Sequence, residues 1–305
     1  MRKRILTAVF TVLVFIAGLF LTTCKQTTEP EILDYHNKIL FTSNRSGKNQ
    51  LYMMNPDGTN IRQITSGQYW HSNGRWSTDA SKIVCNTEEE STTTGTEMAV
   101  INSDGSNRIL LGWGTQMSWY PNGTKIIFSY WQGAEVGIYN DKLFSLNPDG
   151  TNRTAISDKY AGNTTFSPDG SKIAFSFSQI GIVILDYPQF DNPLYINIVP
   201  PGAYGPSWSP SGNEISFSNR EIETIPNDDI YIINSDGSNV QNITNNTSNM
   251  PYIYPCWSPD GEKIIFLSYT VDGSQKWQLF MINKNGTNLH KVIDDDYVKS
   301  CDWSR

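Results

Sequence analysis

The sequence predicts an all-β protein made of six similar four-stranded units closed into a ring. Three observations carry this reading. One phrase recurs along the chain: WSTDASKIVCNT from Trp76, WYPNGTKIIFSY from Trp119, FSPDGSKIAFSF from Phe166, WSPSGNEISFSN from Trp208 and WSPDGEKIIFLS from Trp257. A second phrase lies between its copies: LYMMNPDGTNIRQIT (51–65), MAVINSDGSNRILL (98–111), LFSLNPDGTNRTAIS (143–157), IYIINSDGSNVQNIT (230–244) and LFMINKNGTNLHKVI (279–293). Finally, the piece missing from the first unit, an inner strand ending in Trp-Ser, stands at the far end of the sequence as KSCDWSR.

The elements follow in order. Basic MRKR precedes the apolar run Ile5–Leu21, the pattern of a secretory signal peptide over residues 1–23. Leu21-Thr22-Thr23-Cys24 resembles the lipobox of bacterial lipoproteins, which implies lipid attachment at Cys24 after cleavage. Thr23 departs from the small residue usual before that cysteine. Ordinary signal-peptidase cleavage and a retained anchor are the alternatives. Residues 24–37 then form a tether, and the repeats occupy 38–305.

Each repeat has a direct physical reading. The apolar run ending in Trp-Ser is an inner strand. Pro-Asp-Gly is turn chemistry, because Pro presets φ, Asp bonds nearby backbone and Gly accepts positive φ. KIIFLS and its relatives are short buried strands rich in β-branched and aromatic residues. IYIIN is a third strand, Asp-Gly-Ser-Asn a second tight turn, and VQNIT an outer strand. The inner-strand anchors are spaced by 42–49 residues, the period of a four-stranded propeller blade. Ile39–Thr42, Leu51–Asn55 and Ile61–Thr65 supply three strands of a first blade. Val298–Ser304 supplies its inner strand and closes a six-bladed β-propeller of antiparallel blades. Blade four departs from the pattern, since residues 185–193 (LDYPQFDNP) replace the Asp-Gly turn and predict an irregular loop.

WSPDGxKIaF followed by IYIINSDGSNxxxIT resembles the TolB-like propeller repeat over about residues 38–305. The resemblance implies the fold and a cell-envelope setting. It implies little about function, because propellers host binding, scaffolding and enzymatic proteins alike. The α/β domain that precedes the propeller in TolB has no counterpart in the dozen or so residues between Cys24 and the first strand, so TolB's own role is not carried over.

Composition narrows the function. The net charge is −7, and setting aside Arg2, Lys3 and Arg4 leaves 20 Lys and Arg against 30 Asp and Glu. An acidic body with no basic stripe excludes nucleic-acid binding, which needs clustered cations. No GxSxG or HExxH stretch occurs. His36 lies before the first strand, His71 is expected in a loop and His290 in an outer strand, so a histidine-based triad or metal centre is not expected. Cys85, Cys256 and Cys301 read as small apolar core residues, with one disulfide as the alternative.

The segment joining each outer strand to the next inner strand belongs at one mouth of the central channel. Aromatic residues recur there: Trp70 with His71 beside it, Trp113, Tyr160, Tyr204, Tyr252, Tyr254 and Tyr297. Tyr and Trp offer broad apolar area with a polar tip, which suits peptide or sugar contact. The competing reading is that these rings plug the channel and pack between blades. Asp294, Asp295 and Asp296 are the first place to look for Ca²⁺, although solvated loop acids explain them as well; no other cofactor is expected. The functional expectation is a non-catalytic envelope protein, exported and lipid-anchored, holding a protein, peptide or glycan partner. An envelope polysaccharide hydrolase or lyase is the alternative, and would need carboxylates converging at the mouth.

Overall fold

The computed structural model describes residues 34–89, 96–131, 141–157, 162–177, 181–189, 194–196, 202–220, 228–247, 250–272, 274, 276–293 and 297–305. Residues 1–33, Cys24 among them, lie outside that set. Tyr35–Arg305 forms one compact unit, and among its described residues the strands make six four-stranded antiparallel sheets. From the channel outward, blade two is Tyr69–Trp76, Lys82–Glu89, Glu97–Asn102 and Ile109–Trp113. Blade three is Thr115–Trp119, Ile126–Trp131, Asp141–Leu146 and Thr154–Ser157. Blade four is Gly162–Phe166, Lys172–Phe177, Gly181–Asp186 and Leu194–Ile196. Blade five is Tyr204–Trp208, Glu214–Arg220, Asp228–Asn234 and Gln241–Asn242, and blade six is Tyr252–Trp257, Lys263–Tyr269, Trp277–Asn283 and His290–Lys291.

Blade one joins the two ends of the ring. Its inner strand is Val298–Trp303, followed outward by Ile39–Ser43, Gln50–Met54 and Arg62–Gln63. The register runs from Ile39 opposite Trp303 to Ser43 opposite Val298. The Lys38 amide donates to Ser304 Oγ at 2.7 Å, Ser304 Oγ donates to the Tyr35 carbonyl at 2.6 Å, and Trp303 Nε1 donates to Asn37 Oδ1 at 2.9 Å. The predicted closure is therefore the observed one.

Local chemistry explains why the repeat folds this way. In the inner turn of blade four, Ser167 Oγ donates to Asp169 Oδ1 at 2.6 Å and accepts from the Lys172 amide at 2.9 Å. The Ser171 amide donates to the same Asp169 oxygen at 3.0 Å. The outer turn repeats the device with Asp57, whose Oδ1 accepts from both the amide and the hydroxyl of Thr59. These bonds hold the turn carboxyls of Asp57, Asp79, Asp104, Asp149, Asp169, Asp236 and Asp260 below the usual carboxylate range.

The core lies between adjacent blades. Phe41, Phe128, Phe217 and Phe266 are fully buried at equivalent points of their second strands. Each stacks on a ring of the third strand: Tyr52, Phe144, Tyr231 and Phe280, at centroid distances of 5.6, 5.8, 5.6 and 6.0 Å. Blade two has the small pair Cys85 and Ala99 there instead. The blades are also tied by the inner-strand anchors. Trp119 Nε1 donates to the Arg75 carbonyl at 3.0 Å and Trp257 Nε1 to the Ser207 carbonyl at 3.1 Å, each reaching back one blade.

One expectation needs correction. The outer strands of blades one, five and six are two residues long, shorter than the phrases IRQIT, VQNIT and LHKVI suggest. An outer strand pairs on one side only, and in blade one Thr65 uses its hydroxyl to accept the Leu51 amide at 2.9 Å, ending the ladder. In blade four, where a loop replaces the Asp-Gly turn, the Tyr187 ring packs 5.1 Å from Phe166 and 5.5 Å from Tyr120.

Candidate binding site at the channel mouth

The six inner strands surround a channel of about 400 Å³. Five of them are bulged at the same point, with register shifts between Ser72 and Arg75, Thr115 and Ser118, Gly162 and Thr165, Tyr204 and Ser207, and Ile253 and Cys256. The bulged residues, Asn73, Gln116, Asn163, Gly205 and Tyr254, have left-handed φ between 50° and 62°. All five line the channel. A bulge adds a residue on one strand and re-aims its side chain. Neighbouring blades hold the freed amides: Asn163 N donates to Gln116 Oε1 at 2.9 Å, Gly205 N to Ser176 Oγ at 3.0 Å and Tyr254 N to Ser218 Oγ at 2.9 Å.

Charged groups sit deeper in the channel. Arg75 Nη1 donates to the Cys301 carbonyl at 2.6 Å. Asp302 Oδ2 accepts from the Trp76 amide at 2.7 Å, and Cys256 Sγ contacts its Oδ1 at 3.6 Å. Burial pushes the Asp302 carboxyl up, opposed by Arg75. Burial also pushes the Cys85 and Cys301 thiols up to about 12 and raises Cys256 well above its ordinary value. All three are therefore thiols at neutral pH, unlike a reactive cysteine, whose thiolate needs an electropositive setting. Among the described residues no three His, Cys, Asp or Glu side chains gather as a metal site.

The aromatic candidates divide by exposure. Trp70 is 38 % exposed, Trp113 47 %, Tyr254 40 % and Tyr297 52 %. Trp70 and Tyr254 belong to inner strands, Trp113 closes the outer strand just before one, and Tyr297 immediately precedes one; of the four, Tyr254 lines the channel. His71 and Tyr252 are buried and present no surface to a ligand. His71 is also not in a loop: it belongs to the inner strand Tyr69–Trp76. Its Nδ1 faces Gln50 Oε1 at 3.2 Å, which also accepts from Thr65 Oγ1 at 2.6 Å. Burial, assisted by Arg108, lowers the His71 pKa to about 4, so the ring is neutral. Tyr204 is half-buried, and its hydroxyl donates to Asp228 Oδ2 at 2.9 Å. Tyr160 and Asp294–Asp296 lie outside the described residues.

The structure adds residues at the blade five and six side of the mouth that sequence reasoning missed. Tyr204 and Tyr254 meet edge to face at 5.7 Å, and Tyr269 lies 4.7 Å from Trp277. Trp277 forms a parallel bridge with Tyr297. Arg220 grips Asp228 through Nε at 2.9 Å and Nη2 at 3.2 Å. The available signal was positional: Arg220, Asp228, Tyr269 and Trp277 all flank loops between second and third strands.

Comparison with known proteins agrees with this architecture. The TolB beta propeller domain family matches residues 21–164. No curated protein matches the sequence. Among solved structures, TolB from Acinetobacter baumannii is similar at 15 % identity and a TM-score of 0.70, covering 89 % of this protein and 67 % of that one. A component of the Nidogen/Laminin complex is similar at 7 % identity and a TM-score of 0.65, covering 88 % and 98 %. Oligogalacturonate lyase from Vibrio parahaemolyticus is similar at 15 % identity and a TM-score of 0.53, covering 84 % and 74 %. At these identities the structural likenesses speak for the fold alone. Repeat phrases, the six-bladed ring and the partial family match agree: the protein is a six-bladed β-propeller whose residues 21–164 match the TolB beta propeller domain family.

Proposed function

We propose that this protein is a non-catalytic binding or scaffold protein of the bacterial cell envelope that holds a partner, in the first place a protein or peptide, across the mouth of its channel. One observation carries the reading: Trp70, Trp113, Tyr254 and Tyr297 keep 38–52 % of their surface exposed on segments that run into or along inner strands, and Tyr254 lines the channel. Large exposed aromatics at a common site mark recognition surfaces. The similarity to TolB and to a component of a two-protein complex supports a protein partner by analogy of fold. Glycan binding uses the same rings and stands as an outcome of the test.

The test is a pull-down from envelope extract with residues 30–305, beside a variant carrying Trp70→Ala, Trp113→Ala and Tyr297→Ala whose melt shows it folded. A partner kept by wild type and lost by the variant supports the reading. Equal retention by both baits overturns it and returns the rings to a packing role. Envelope location and a lipid anchor at Cys24 belong to the same proposal. Mass spectrometry of the mature N-terminus, with Cys24→Ala expected to release the protein from membranes, tests them.

The alternative, a polysaccharide hydrolase or lyase, has the lyase fold likeness in its favour. It requires an acid and a base placed around a substrate. The raised carboxyl in the channel, Asp302, is already engaged by Trp76 and Cys256. Turnover of an oligouronate by the purified protein would favour the alternative.

A further inference from the structure

The mouth between blades five and six holds a charged arrangement that the aromatic reading leaves unused. Arg220 ends the second strand of blade five, and Asp228, directly opposite it, begins the third. The Asp228 side chain is 0 % exposed and that of Arg220 is 54 % exposed. Burying a carboxylate costs several kcal/mol unless donors replace its water. Here three donors do so: Arg220 Nε at 2.9 Å, Arg220 Nη2 at 3.2 Å and the Tyr204 hydroxyl at 2.9 Å.

This arrangement fixes the guanidinium and, among the described residues, leaves half of it unused. A guanidinium carries five N–H donors, arranged as a side fork on Nε and one terminal nitrogen and an end fork on the two terminal nitrogens. Asp228 takes the side fork. The end fork stays on the exposed part of the side chain, with no acceptor among the described residues. Tyr204 and Tyr269 stand close enough to interact electrostatically with Arg220. Tyr254, 40 % exposed, packs on Tyr204 and is itself fixed by its bulge and by Ser218. The result is a pre-aimed donor pair beside aromatic walls, at a spot where carboxylates bind bidentately.

We propose that Arg220 is the anchor for a single carboxylate on a peptide segment of the partner, whose neighbouring apolar side chains lie against Tyr254 and Tyr269. The proposal deepens the binding reading above and rests on it. The net charge of −7 selects among carboxylate ligands. It repels a polyanion such as a polyuronate, whereas an isolated carboxylate among apolar residues meets only the local guanidinium. An aspartate or glutamate within the peptide and a free carboxyl end carry the same chemistry, and the experiment separates them.

The full-length protein in detergent is titrated, by biolayer interferometry, against four biotinylated probes. Three are seven-residue peptides with two phenylalanines flanking the central position: a central aspartate with an amidated end, a central asparagine with a free carboxylate end, and a central asparagine with an amidated end. The fourth is an oligouronate. Arg220→Lys keeps the ion pair to Asp228 but lacks a second fork. Arg220→Gln combined with Asp228→Asn removes both charges and leaves no buried ion unpaired. Melts of both variants are recorded first.

The expected result is that one or both carboxylate peptides bind at least about tenfold tighter than the neutral peptide, and that both variants lose that advantage. The tighter of the two names the source of the carboxylate. The anchor is overturned if carboxylate and neutral peptides bind alike, if no peptide binds, or if a folded variant keeps the advantage. Preference for the oligouronate overturns the peptide assignment. The Trp70, Trp113 and Tyr297 variant, run in the same assay, separates the two failures: peptides that bind irrespective of charge but are lost by that variant leave the mouth reading standing while Arg220 falls.

Discussion

Replacing Gly105 by alanine measures how tightly two blades meet. Gly105 sits in the outer turn of blade two with φ +87°, and a Cβ there would stand 2.0 Å from the Ile64 carbonyl oxygen of blade one. Gly47 is the matched control, since its φ is +93° and a Cβ there would meet nothing within 4 Å. Both substitutions place an L-residue in a left-handed conformation, costing about 1–2 kcal/mol. Gly105→Ala must in addition push two backbones apart by roughly 1 Å, and overpacking of that kind costs about 1–3 kcal/mol. We expect Gly47→Ala to cost about 1–2 kcal/mol and Gly105→Ala about 2–5 kcal/mol. Urea denaturation of both variants beside wild type reads the difference directly, and at about 2–4 °C per kcal/mol the melts should separate by several degrees. Equal destabilisation by the two substitutions would refute the claim that blades meet backbone to backbone at this turn.

Three further predictions follow from buried groups and from closure. Deleting residues 298–305 removes the inner strand of blade one, with buried Val298, Cys301 and Trp303, and should leave no cooperative melt comparable to wild type; an unchanged melt would sink the closure. His71 has its pKa lowered from 6.5 to about 4, so the unfolded protein takes up the proton first as pH falls. Its stabilisation is full above pH 6.5 and declines toward pH 4 by at most about 3 kcal/mol, and in stability–pH curves His71→Gln should flatten that slope. Asp302 has a raised carboxyl pKa, so its burial costs stability as pH rises above the ordinary carboxylate range. Asp302→Asn, which can still accept from Trp76, should be neutral or stabilising at pH 7, while Asp302→Ala strands that amide and should cost about 1–3 kcal/mol by denaturant titration.

The ring was legible because its grammar is local. Pro-Asp-Gly and Asp-Gly-Thr-Asn dictate turns within four residues, and the anchors Trp76, Trp119, Phe166, Trp208 and Trp257 mark the period. Closure was legible because Trp303 repeats an anchor with no strand behind it. The site was less legible, because it depends on register. His71 sits in the polar run His71-Ser72-Asn73-Gly74, which reads as a loop, yet that run crosses the interior, where the histidine meets Gln50 and Thr65 from blade one. The bulge at Asn73, Gln116, Asn163, Gly205 and Tyr254 has only one local hint, the taste of Asn and Gly for left-handed backbone; Gln116 and Tyr254 hide it. Arg220 and Asp228 are eight positions apart, and their meeting becomes visible only when Arg220 is placed opposite Asp228 across the hairpin.

The inner strand of blade one is made after every other strand of the ring, yet it bonds to residues near the start of it, Ser304 to Tyr35 and Lys38, and Trp303 to Asn37. Order of synthesis and order of assembly are thus tied together. During synthesis, blade one waits with an uncovered edge on Ile39–Ser43, and Trp76 of blade two and Cys256 of blade six lack the Asp302 that joins them. Contacts separated by some 266 residues form late, since loop closure over such a span is slow. A ring without Val298–Trp303 is expected to stay an open arc with the Ile39–Ser43 edge uncovered, rather than a slightly smaller disc.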